Sequence, residues 1–84
     1  MYLIDFSSAA SKDVDDLPSE IQKRIESLID TMIQNPRPMG CKKLKGAGNF
    51  WRARIGDYRM LYGIDDRSKH ISIYRILHRK DAYR

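Results

Sequence analysis

The residues of this chain best equipped for chemistry are arginines at strand-like spacing. Trp51-Arg52-Ala53-Arg54-Ile55 and Tyr58-Arg59-Met60-Leu61-Tyr62 interleave guanidinium groups with aromatic and aliphatic side chains, and Arg75, Arg79 and Lys80 follow further on. Arginine stays charged and presents a planar fork of donors that fits a phosphate with two parallel hydrogen bonds. A sheet carrying fixed cations beside aromatic rings suits a polyanion with stackable bases, meaning nucleic acid. The alternative on composition alone is a solubilising basic face. The reaction such groups suit is RNA cleavage by internal attack, in which a ribose 2′-OH attacks the adjacent phosphorus and the 5′-oxygen leaves. That requires in-line orientation, neutralisation of charge growing on the phosphate oxygens, and proton transfers. Arginines perform the second task directly, while Tyr83 or His78 could stack or shuttle protons.

Other chemistries find no residues here. His70 and His78 lack the Cys or carboxylate spacing of a metal site. Gly46-Ala47-Gly48 lacks the Lys-Ser/Thr and helix that complete a phosphate loop. No Ser/His/Asp arrangement stands out, so neither metal nor cofactor is expected. The single cysteine, Cys41, cannot form an internal disulfide, and its neighbours suggest a structural or incidental loop residue.

Charge divides the chain. From Arg37 onward thirteen Lys and Arg stand against four Asp and Glu; up to Pro36 three stand against seven, and together these make the net +5. With 84 residues the chain is expected to be one domain, 1–84, with a modest core. No apolar run reaches the roughly 20 residues of a membrane span. The start, Met1-Tyr2-Leu3-Ile4-Asp5, does not resemble a signal peptide. A cytoplasmic location away from membranes is therefore expected.

The elements that must position the arginines follow from periodicity. Tyr2 to Phe6 reads as a strand. Ser7 or Ser8 caps a helix running to about Leu17, and Pro18 opens a second. In that second helix Ile21, Ile25, Leu28, Ile29, Met32 and Ile33 form one apolar stripe, read as core, until Asn35-Pro36 stops it. Arg37 to Gly48 reads as a loop. Phe50–Ile55 and Tyr58–Ile64, joined by Gly56-Asp57, form a β-hairpin. Ile71 to Leu77 reads as a central strand, followed by a short basic tail. The fold class expected is α+β: two N-terminal helices packed on one face of a small, mainly antiparallel four-stranded sheet, in the order β-α-α-β-β-β. Alternation puts Trp51, Ala53, Ile55, Met60 and Tyr62 under the helices. Arg52, Arg54 and Arg59 then gather as surface cations on the uncovered side. Arg75, Leu77 and Arg79 share a face of the last strand unless a bulge shifts the register.

Three segments in series, Lys43-Leu44-Lys45-Gly46, Trp51 to Tyr62, and Ile76 to Arg84, resemble the RelE/ParE superfamily of bacterial and archaeal toxins, the RelE branch most closely. The resemblance covers essentially the whole chain. It implies the toxin of a type II toxin–antitoxin pair that enters the ribosomal A site and cuts mRNA by 2′-OH attack without a metal. Carried over by position, Arg52 and Arg54 occupy the two cationic positions of the second strand, and Arg59 clamps the scissile phosphate. Arg79 is a general acid or transition-state clamp, and Tyr83 stacks on or orients the nucleotide. Lys43, Lys45, Arg75 and Lys80 are further RNA-binding candidates.

One departure matters. The best-known RelE pattern has lysines on the second strand, one proposed as general base; arginine is a poor base. His78, with an unperturbed pKa near 6.5, becomes the base candidate, against a plain reading as a half-buried strand-end histidine. The implied partners are a cognate acidic antitoxin, the ribosome with its mRNA, and operator DNA reached indirectly through the antitoxin. The alternative implied is a ParE-like toxin that binds DNA gyrase and has no nuclease activity.

Overall fold

A computed structural model describes every residue except Lys45, Ala47, Tyr83 and Arg84. The elements run β1 (Leu3–Phe6), α1 (Ser8–Asp15), α2 (Ser19–Gln34), β2 (Lys42–Lys43), β3 (Phe50–Ile55), β4 (Tyr58–Asp65), β5 (His70–His78) and α3 (Arg79–Ala82). The five strands form one sheet in the order β1-β5-β4-β3-β2, parallel between β1 and β5 and antiparallel elsewhere.

Local chemistry explains most boundaries. Ser7 is extended, and its Oγ accepts the Ala10 N–H at 3.0 Å, so it caps α1. Pro18 stands one place earlier than expected, as the residue before α2, with ψ 145°. Gly56, first of the two residues joining β3 to β4, takes a left-handed φ of +58°. That is the backbone a tight hairpin needs and only glycine adopts cheaply. The β4–β5 turn is held by Asp65, whose carboxylate accepts the Arg67 and Ser68 N–H groups at 3.0 and 3.2 Å.

α1 and α2 cover one face of the sheet. Ala10, Ile25 and Met32 meet Ala53, Ile55, Met60, Tyr62, Ile64, Ile71, Ile73 and Ile76, and Ile21, Leu28 and Ile29 pack around them. Each fully buried Ile or Met of this layer contributes about 1.5–3 kcal/mol of transfer free energy. The Tyr62 hydroxyl is satisfied inside by donating to the Pro36 carbonyl at 3.1 Å, and burial raises its pKa.

The sheet departs from expectation in one strand. Lys42–Lys43, read as loop, pairs with Arg52 and Trp51, and the Leu44 N–H continues to the Phe50 carbonyl at 2.8 Å. Two residues without apolar alternation leave no pattern in sequence; their strand state comes from the partner edge. The basic tail begins with the short α3, docked against β4 and β5 with the Arg79 N–H on the Asp57 carbonyl at 2.7 Å.

Between Leu61 and Tyr62 the β4–β5 register shifts: Leu61 opposes Arg75, but Tyr62 opposes Ile73, leaving Tyr74 as the extra residue. Such a bulge keeps Ile71, Ile73 and Ile76 all under the helices while sending Arg75 and Leu77 to the other side. Among the described residues, no helix is long and apolar enough to cross a membrane.

Candidate nucleic-acid interface

Register builds the uncovered face from two cross-strand rows. One runs Lys42, Arg52, Leu61, Arg75 across β2, β3, β4 and β5. The next runs Arg54, Arg59, Leu77. Directly opposed side chains stand about 4.5–5.5 Å apart at Cβ, so Arg52 and Arg54 on β3 and Arg59 on β4 belong to one cluster. A cleft of about 350 Å³ wraps the β3 edge: Lys42, Arg52, Arg54 and Arg59 line it with Pro38 and Met39, and Leu28 and Ala53 reach it from the helix side. Four cations around one concavity repel one another, and an anion that accepts from several of them offsets that repulsion.

The three arginines differ in depth. Arg54 is exposed, Arg52 is half-buried, and Arg59 is only 4% exposed. Arg59 is therefore not the surface cation that alternation suggests. β4 is the middle strand, so side chains from β3 and β5 shield it on both sides. Its Nη1 donates to the Tyr58 carbonyl at 3.3 Å, which lays the side chain along its own strand.

Arg75 reaches the same face but is committed elsewhere. Its Nε and Nη2 donate to the two carboxylate oxygens of Asp13 at 2.8 and 3.1 Å. Asp13 Oδ2 also accepts the Ile76 N–H at 2.9 Å, and Ser7 Oγ donates to the Tyr74 carbonyl at 2.8 Å. β1 stops at Phe6, so α1 supplies partners for the β5 edge beyond it. The Arg75 hydrogen bonds, followed by the Ile76 N–H and the nearby charge, hold the Asp13 carboxyl below its usual pKa against the opposing effect of burial.

His78 lies apart from the arginines. It opposes Tyr58, putting it on the helix side of the sheet, with the two rings edge-to-face at 5.3 Å. Its Nδ1 accepts the Lys80 N–H at 3.3 Å, a contact that fixes the ring at the turn from β5 into α3. Arg79 and Lys80 are exposed on α3. Lys43 pairs with Trp51 and so projects away from the arginine face, whereas its neighbour Lys42 joins it. Lys45 and Tyr83 lie outside the described residues.

Two features escaped the sequence reading. Lys42 sat in an apparent loop, where parity could not be assigned. Phe50 and Tyr74, exposed on the arginine side, make a tilted ring pair 5.4 Å apart across β4. Their pairing depends on the bulge. On the helix side, Arg37 stacks over Trp51 at 5.0 Å and forks onto Asp66 at 2.8 and 3.3 Å. The Tyr2 hydroxyl donates to Asp66 as well, at 2.8 Å, and the two partners, Arg37 foremost, pull the Asp66 carboxyl down to about 2. No group of three or more His, Cys, Asp or Glu able to hold a metal occurs among the described residues.

A family model described as the ParE toxin of a type II toxin–antitoxin system, parDE, matches residues 4–83. The chain is 35% identical over 82 residues to toxin RelE3 of Methanocaldococcus jannaschii, covering 93% of this chain and 91% of that one. To toxin RelG of Mycobacterium tuberculosis it is 32% identical over 84 residues, covering 99% and 97%. Its fold is similar to the archaeal RelE–RelB complex of Pyrococcus horikoshii OT3, with a TM-score of 0.84 at 29% identity over 93% of this chain and 94% of that one. The RelB–RelE antitoxin–toxin complex of Methanococcus jannaschii gives 0.77 at 33% identity, covering 93% of each.

Proposed function

The chain belongs to the RelE/ParE superfamily of toxins from type II toxin–antitoxin systems, and from that premise we propose that it is a ribosome-dependent endoribonuclease that cuts mRNA in the A site. The observation that carries this reading is the register pairing of Arg54 with Arg59, with Arg52 and Lys42 on the adjoining row around one cleft. A gripped phosphodiester would place its non-bridging oxygens among these forks. The 2′-hydroxyl gives its proton to solvent and its oxygen bonds to phosphorus as the bond to the 5′-oxygen breaks; the leaving oxygen takes up a proton in turn, so the products are a 2′,3′-cyclic phosphate and a 5′-OH. Charge growing on the phosphoryl oxygens meets donors already fixed in place, the arrangement that stabilises such a transition state most. Arg79, at the start of α3, is the candidate to approach the leaving oxygen, and Tyr83 the candidate to stack on the nucleotide.

His78 is the weakest member of the proposed site, because the sheet stands between it and Arg54 and Arg59. Catalysis on this reading rests on positioning and charge stabilisation, with no neutral-pH base at the arginines. The cognate partner is an acidic antitoxin, because an anionic segment is what this cationic face would accept when RNA is absent. Operator DNA would be reached through that antitoxin, and the setting is the cytoplasm, where ribosomes are.

The matching family is described as a ParE toxin, and the resemblance to the ParE branch carries a second reading, a gyrase-directed toxin without nuclease chemistry. Primer extension on mRNA from a translating extract separates the two. Cuts in codon phase that appear only with ribosomes support the first reading; intact mRNA with blocked DNA supercoiling supports the second.

A further inference from the structure

The uncovered face continues past the Arg52–Leu61–Arg75 row, and beyond that row it is built differently. Phe50 and Tyr74 are exposed there, 39% and 41%, with their rings 5.4 Å apart and inclined by 48°. Beneath them lies Gly63, opposite Phe50 in the β3–β4 register. A Cβ at that glycine would come within 3.1 Å of Tyr74 Cε2 and 3.4 Å of Phe50 Cε1. Any side chain on this floor would lift the rings, so the bare backbone is what lets them settle across the strand. Asn49, His70 and Ser72 complete a cavity of about 250 Å³ around the pair.

Large exposed rings on a small domain call for an occupant, and the surroundings define its chemistry. Asp5 lies at this end and pairs with His70, and Asp65 lines the cavity. A phosphate is therefore disfavoured here, while an uncharged planar group between rings and polar edges is favoured. Along β3, Phe50 is four residues from Arg54, about 13 Å at the rise of an extended strand. Both lie on one side of the sheet, so a single strand gripped by the arginines can run to the rings without crossing an edge.

We propose that Phe50 and Tyr74, seated over Gly63, form a base-stacking subsite that holds an unpaired nucleobase of the RNA strand whose phosphate lies among Arg52, Arg54 and Arg59. The inference rests on the nuclease reading above and adds a second contact to it. Backbone grip and base stacking then come from opposite ends of one face, the division of labour common to single-strand binders.

The test uses a fluorescein-labelled hexamer of 2′-O-methyl RNA, which lacks the attacking hydroxyl and cannot be cut, read by fluorescence anisotropy. Phe50→Ala and Tyr74→Ala should each weaken binding about ten-fold, within the range measured for loss of one stacked base. The slope of affinity against salt should not change, because no phosphate contact is lost. Phe50→Tyr and Tyr74→Phe should bind like the parent. An abasic hexamer lacking the stacked base should lose affinity for the parent protein and nothing further for Tyr74→Ala. Because both rings are exposed, circular dichroism should show the variants folded. Folded alanine variants that bind the hexamer as tightly as the parent overturn the inference. So does loss of antitoxin binding alone, which would make the rings a protein-docking site. If Arg54→Ala weakens the hexamer and the ring variants do not, the nuclease reading survives without this subsite. A parent protein that binds neither the hexamer nor a programmed ribosome overturns both.

Discussion

Arg54 and Arg59 stand directly opposite each other across the β3–β4 ladder, one exposed and the other 4% exposed. Like charges at opposed positions destabilise a sheet. A fold selected only for stability would replace one of them, so the pair is the place where stability and function should pull apart.

Arg54→Ala removes a repulsion at an exposed position and no packing. Its melting temperature should equal or slightly exceed the parent's, while growth arrest on expression is lost. Arg59→Ala should lose toxicity too, but at a cost of about 1–3 kcal/mol, because it strips a buried group from its partners. Thermal unfolding beside a toxicity assay checks both; an Arg59→Ala protein as stable as the parent would contradict its buried placement.

The two partners of the α1–β5 contact should respond unequally. Asp13→Ala leaves the Ile76 N–H without its acceptor and should cost about 1–3 kcal/mol. Arg75→Ala removes only a solvent-screened ion pair at an exposed position and should cost clearly less. Urea unfolding of the two variants and the double variant measures the difference. Equal losses would mean that the ion pair, not the backbone contact, fastens α1 to the sheet.

Asp66 predicts an acid limb in stability. Its folded pKa of about 2 lies below the unfolded carboxylate value near 4, so its contribution is complete above the unfolded pKa and disappears as pH falls through 4 toward 2. Asp66→Asn should be less stable than the parent at pH 7 and approach it near pH 2. The limb narrows rather than vanishes, since Asp13 and Asp65 are also shifted down. Melting curves from pH 7 to 2 check this; parallel curves for the two proteins would remove Asp66 as the cause.

Gly56→Ala should destabilise by about 1–2 kcal/mol through its left-handed φ of +58°. The new Cβ would also come to 3.1 Å of Arg24 Nη1, a flexible end that can yield. Equilibrium unfolding that shows no loss would mean the turn rearranges freely.

On the nuclease reading proposed above, the pH dependence of cleavage tests where His78 sits. With its ring against Tyr58 on the helix side, His78→Gln should cut with the parent's pH profile and within a few-fold of its rate. A pH-dependent limb that the parent shows and the variant lacks would return His78 to the chemistry.

Sequence alone determined the faces. Apolar residues at helical spacing in α2 and alternation in β3 and β4, broken only by Phe50 and Leu61, fix which side chains go inward, because burying them is the largest favourable term open to so small a chain. Gly56 marked its turn and the Ser7-Ser8 pair its cap, since each supplies a backbone state or acceptor few residues can; the structure picks Ser7. What tertiary structure decided was depth, edge and register. Alternation assigns Arg59 a side of the sheet but not the shielding it gains in the central strand. β2 exists only because β3 offers an edge, and α1 reaches Arg75 only because β1 stops short. The bulge at Tyr74 belongs to the same class. One extra residue leaves no mark in composition, yet it brings Tyr74 over Gly63 beside Phe50 and keeps Ile76 in the core. Local periodicity carries information over two or four residues. Strand order and pairing are settled by contacts between segments distant in the chain.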